Sequence, residues 1–111
     1  MILSHLQNPF QALYSASRLV RGNIIVTNQM RTDEDRPLAR FLPSPENKET
    51  MVWWMLSKQC LEQMLAVLGF QVKRAVPSTA LCLVQGCKTE QRCTSLVSER
   101  VAGQACLSAA A

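Results

Sequence analysis

Residues 53–70, WWMLSKQCLEQMLAVLGF, carry both end signals of a single helix. Ser57 suits the N-cap position, where its hydroxyl can accept from an orphan N–H of the first turn. Leu61, Met64, Leu65 and Leu68 follow at i, i+3, i+4 and i+7 and so share one face. Gly69 can take the left-handed conformation that stops a helix, and Phe70 can fold back onto Leu65. Trp53 and Trp54 stand just before the cap. An amphipathic helix of this kind needs a surface to cover, and its flanks predict that the surface is a parallel sheet.

The chain has 111 residues, 48% hydrophobic and 18% charged, with a net charge of +4. This suffices for one small domain with a modest core. The basic residues are scattered, so the excess reads as a general cationic surface and gives no clear nucleic-acid signal. No apolar run approaches the roughly 20 residues of a membrane span. The opening Met1-Ile2-Leu3-Ser4-His5 lacks the basic and long apolar regions of a signal peptide. Five cysteines leave at least one unpaired, and reduced thiols in a cytoplasmic protein are the simplest expectation.

In chain order, Met1–Leu3 reads as the end of a strand and Ser4–Gln7 as the loop after it. Asn8-Pro9 opens a helix, with Asn as cap and Pro at the first helical position. Phe10, Leu13 and Tyr14 can share a face. Arg18 and Arg21 are expected in the last turn, where cations suit the helix dipole, and Gly22 ends the helix. Asn23–Thr27 is a continuous β-branched run, which predicts a strand covered on both faces. Strand, helix and strand with short turns make a right-handed βαβ unit. Residues 29–52, with mixed charges and Pro37, Pro43 and Pro45, read as a long loop, either substrate-facing or simply solvated. Beyond the central helix, Phe70–Arg74 alternates as a half-exposed strand. Val76–Thr79 can turn the chain, and Ala80–Val84 is a second apolar strand, so the two should pair antiparallel. Residues 87–111 read as a weakly helical tail, with Cys93, Leu96, Val97 and Val101 at helical spacing.

The order of elements and three stretches together resemble one family. LSHLQNPFQALYSASRLVRGNIIV (residues 3–26), FLPSPENKETMVWWMLSKQCLEQMLAVLGFQV (residues 41–72) and RAVPSTALCLV (residues 74–84) are similar to the C-terminal half of a class I S-adenosylmethionine-dependent methyltransferase. The first matches a strand, a loop of the form L-x-H-L-x-(D/N)-P, a helix and a hydrophobic strand. The second matches an aromatic pair and a Ser ahead of a helix ending M-L-x-x-x-G-F. The third looks like the antiparallel end of the sheet. The resemblance implies an α/β fold over residues 1–86: a partial Rossmann-like sheet of parallel strands closed by an antiparallel hairpin, with helices packed on it. It implies methyl transfer from S-adenosylmethionine to an acceptor, a reaction governed by alignment. It also implies cofactor contacts at Ser4 and His5. The family's Gly-rich turn is missing, since Gly22, Gly69, Gly86 and Gly103 form no G-x-G. The isolated chain is therefore expected to be inactive and a poor cofactor binder. Its natural complement would be a missing N-terminal half.

Each candidate residue also has a structural reading. His5, the single histidine, could line the pocket near the reacting methyl group or act as a general base. It could equally bond backbone and cap the following helix. Trp53 and Trp54 could stack on a planar substrate; otherwise one buries at the helix–sheet interface and the other covers the long loop. Cys82, Cys87 and Cys93 have C-x4-C-x5-C spacing, too loose for a zinc site. Asp33-Glu34-Asp35 reads as a solvated turn rather than a cation site. A second functional expectation is a non-catalytic α/β protein that self-associates through an exposed sheet edge.

Overall fold

The computed structural model describes residues 2–48 and 51–101. Leu3–His5 form one short 3-10 turn. Helix α1 spans Pro9–Ser17, strand β1 Asn23–Asn28, β2 Ala39–Phe41 and β3 Trp54–Leu56. Helix α2 spans Lys58–Val67, β4 Phe70–Val84 and β5 Cys87–Arg100.

Both helices begin as their sequences require. Asn8 Oδ1 accepts from Gln11 N at 3.0 Å, with Pro9 at the first helical position. Ser57 Oγ accepts from Cys60 N at 3.1 Å and starts α2. Leu61, Leu65 and Leu68 are fully buried, and Gly69 takes a φ of 90° as α2 gives way to β4. Leu3, Leu13, Val26, Leu56, Phe70 and Leu96 complete one core with the α2 leucines. Each such leucine contributes about 2 kcal/mol by leaving water.

The sheet corrects the expected fold class. Its order is β1-β5-β4, and every strand pair is antiparallel. A second ribbon, β2-β3, is antiparallel as well. No Rossmann-like parallel sheet is present among the described residues. β1 and β4 run the same way only because β5 lies antiparallel between them. Leu3 belongs to the 3-10 turn, not to a strand beside β1, and Met1 lies outside the described residues. β1 pairs with β5, Ile25 opposite Val97 and Val26 opposite Leu96. Its continuous apolar run is covered on one face only: Val26 is buried while Ile25 is 63% exposed.

The hairpin is also placed differently. Residues 70–74 and 80–84 do not pair with each other, because both belong to the single 15-residue strand β4. Pro77, expected to turn the chain, sits within β4 opposite Thr94. β4 is an edge strand, where a residue without an N–H can be tolerated. The turn lies at Gln85-Gly86, with φ of 52° and 79°. Positive φ at both central positions matches the twist of a two-residue hairpin. Residues 87–100 are therefore strand rather than helical tail, and residues 102–111 lie outside the described residues. Beyond Ser78, which stands opposite the buried Cys93, the hairpin leaves the core as an arm, with Leu81 and Leu83 73% and 74% exposed.

Arg100, the last residue of β5, locks the layers together. Its Nη2 donates to Ser17 O at 2.7 Å and Val20 O at 2.9 Å, and its Nε to Val20 O at 3.0 Å. Its Nη1 donates to Leu68 O at 3.4 Å, and its guanidinium lies 4.3 Å from the centroid of Phe70. One cation thus serves carbonyls at the C-terminal ends of both helices, where negative partial charge collects. Arg18 and Arg21 do not fill this role, since α1 stops at Ser17 with no basic residue in its last turn.

Candidate functional site

The predicted site residues converge on one side of the core. Ser4 and His5 lie on the 3-10 turn; Trp53 immediately precedes β3 and Trp54 opens it. Backbone and side-chain bonds tie the two segments. Trp53 N donates to Ser4 O at 2.7 Å, and Trp54 Nε1 donates to Gln7 O at 2.9 Å. His5 Nδ1 lies 2.8 Å from Met51 O. A carbonyl can only accept, so Nδ1 is the donor. His5 therefore bonds backbone, and the capping of α1 falls to Asn8 alone.

The aromatic pair is organised by the long segment before it. Residues 29–52 are not a plain loop: they contribute β2, and Phe41 of β2 stands opposite Trp54. The Phe41 ring meets Trp53 edge-on at 5.8 Å and Trp54 at 5.1 Å. Such T-shaped pairs favour the ring quadrupoles and hold both indoles in fixed orientations. Neither tryptophan is fully buried in the helix–sheet interface. Beside Trp54 opens a groove of about 330 Å³, lined also by Gln7, Asn8, Phe10, Leu56 and Met64. Among the four residues singled out from the sequence, only Trp54 lines it. Ser4 is buried, His5 is exposed, and Trp53 meets Phe41 edge-on.

Ser57 anchors the same region, and its second role is not visible in the sequence. Besides capping α2, its hydroxyl donates to Arg36 O at 2.8 Å and accepts from Leu38 N at 2.9 Å. It is 1% exposed. The loop acids are held by neighbours: Asp33 takes both Nε and Nη2 of Arg31, at 2.9 and 3.0 Å, and Glu34 takes Arg36 Nε at 3.0 Å. The guanidinium partners hold both carboxyls below the usual carboxylate range.

S-adenosylmethionine does not fit the groove beside Trp54. Its ribose and charged tail need a carboxylate and a close backbone approach at a Gly-rich turn. The groove beside Trp54 has no acidic lining residue. Gly22 and Gly69 sit where helices meet strands, and Gly86 turns the hairpin. Among the described residues no group of three or more His, Cys, Asp or Glu could hold a metal ion. Cys82 instead lies with Sγ 3.4 Å from Gln91 Oε1. No helix among the described residues is long and apolar enough to cross a membrane. Comparison of the chain with protein-family models, curated proteins and solved structures gives no match.

Proposed function

We propose that the chain supplies the acceptor-facing part of an S-adenosylmethionine-dependent methyltransferase, with the cofactor held by a separate polypeptide. The observation that carries this reading is convergence. The two stretches that resemble the family, around His5 and around Trp54, lie far apart in the chain, yet join through the Trp53–Ser4 and Trp54–Gln7 bonds. The groove beside Trp54 offers a flat indole, apolar Phe10 and Met64, and amide groups of Gln7 and Asn8. That combination suits a planar acceptor with polar edges. The free cysteines Cys60, Cys82 and Cys87 support a reducing, cytoplasmic setting.

The test has two arms. Millimolar S-adenosylmethionine should leave the melting temperature of the isolated chain unchanged; a clear rise overturns the division of labour. In cells expressing the chain, labelled methyl groups should appear on an acceptor, and the label should be lost with Trp54→Ala. Equal labelling with and without the chain overturns the methyltransferase reading.

A second reading rests on β1. It is an edge strand, and its exposed Ile25 stands beside a groove of about 420 Å³ shared with Ile2, Leu3, Leu13 and Ala16. The strand suits a copy of itself. An antiparallel pair centred on Ile25 sets Ile24 against Val26 of the second copy on the core-facing side, and Asn23 against Thr27. In this reading the chain is a non-catalytic dimer. Sedimentation at the dimer mass, reduced to monomer by Ile25→Lys, supports it; a monomer at all concentrations excludes it.

A further inference from the structure

A second cleft lies at the root of the hairpin arm, with a different chemistry from the groove beside Trp54. β1 ends at Asn28, opposite Thr94, and β5 continues without its β1 neighbour. The chain after β1 then passes alongside, so that Thr32, Ser78, Thr79, Arg92 and Thr94 line a space of about 400 Å³. The register explains the grouping: Thr79 stands opposite Arg92, and Pro77 opposite Thr94. By this register Thr79, Arg92 and Thr94 share one face of the β4–β5 ladder, and no carboxylate lines the cleft.

These groups are not used by the fold. Arg92 makes no ion pair with a described carboxylate, unlike Arg31 and Arg36. Thr94 is only 9% exposed, yet its hydroxyl makes no hydrogen bond to another described residue. The Thr94 hydroxyl is open to the cleft, since the buried side-chain oxygens without a partner among the described residues are those of Asn28 and Ser98, and it can therefore donate to a ligand there.

We propose that this cleft binds a phosphate group. A guanidinium presents a planar fork of donors that matches two phosphate oxygens, and the hydroxyls can donate to the remaining oxygens. Nothing in the lining accepts strongly, so a cation or an amine finds no counterpart. The phosphate is free or carried on an ester such as a nucleotide. This site is independent of the methyltransferase reading, since none of its residues lines the groove beside Trp54.

Titration calorimetry of the chain with inorganic phosphate and with a nucleoside monophosphate tests it. We expect saturable single-site binding that weakens as ionic strength rises. Arg92→Gln should weaken it roughly tenfold or more, because a charged donor is lost. Thr94→Val, which keeps the shape, should weaken it about fivefold. Arg92 is exposed, so its variant should retain the wild-type circular dichroism spectrum. Tighter binding of the ester identifies an esterified ligand, and equal binding identifies free phosphate; both support the site. Absence of saturable binding to wild type at millimolar concentration, or undiminished binding to Arg92→Gln, overturns it.

Discussion

The two ends of the β4–β5 hairpin are made of similar residues and live in different surroundings. At its base, Phe70 and Leu96 are buried in one core with leucines of α1 and α2, Ser98 is buried too, and Arg100 is bonded to carbonyls of both helix ends. In the arm, Leu81 and Leu83 extend the same ladder into solvent. The comparison separates hydrogen bonding from burial. The ladder continues to Cys87, but packing stops at the Ser78–Cys93 rung. Local strand geometry survives in the arm because the pairing and the turn support it, whereas the stability of the domain resides at the base.

The largest contrast should come from paired truncations. Leu65→Ala removes a fully buried side chain from the core and should cost about 3 kcal/mol or more in denaturant unfolding. Leu81→Ala in the arm should change stability by less than about 0.5 kcal/mol. Equal losses would mean that the arm packs as the base does.

Arg100→Ala should cost about 3 kcal/mol, since several buried carbonyls lose a charged donor at once. Ser57→Ala should come close, about 2 kcal/mol, from the lost cap together with the stranded Leu38 N–H and Arg36 carbonyl. Both are read by thermal unfolding, and hydrogen exchange should locate the Ser57 loss at α2 and residues 36–38.

Gly86→Ala forces a side chain into a φ of 79° although the space around it is open. It should cost about 1 kcal/mol. Faster hydrogen exchange confined to the arm, with the base unchanged, would confirm that the two ends are energetically distinct.

Thiol chemistry gives the smallest effect. Burial pushes the Cys60 thiol up from its ordinary value. A raised pKa for an acid favours the protonated fold, so this contribution is complete below the ordinary thiol range and is lost as pH rises through the raised value. Iodoacetamide at mildly alkaline pH should therefore label exposed Cys87 before Cys60, as read by peptide mass spectrometry.

The same contrast explains what the sequence revealed. Helix α2 was legible because Ser57, the leucine spacing and Gly69 are local signals. β5 was not. Its buried face is Thr94, Leu96 and Ser98, and two of those three are polar, so the two-residue period hides from a hydrophobicity reading. Pro77 read as a turn because its tolerance depends on β4 being an edge, which is a tertiary fact. At the candidate site, His5 and the tryptophans were visible by residue type. Phe41 was not, because only the β2–β3 pairing brings it to them. Arg100 gave no sign, since its carbonyl partners on Ser17 and Val20 lie more than 80 positions upstream or at that distance.

The strand at the middle of the sheet is also the last of the described strands to leave the ribosome. Until β5 emerges, β1 and β4 have no common neighbour, and the apolar faces of both helices wait beside incomplete partners. Nearly all the sheet's pairing partners of β1 are then distant in sequence, which slows assembly and lengthens the interval in which sticky intermediates can meet. A nascent chain halted before Arg100 should therefore depend on chaperones, while the finished one closes in a single late step.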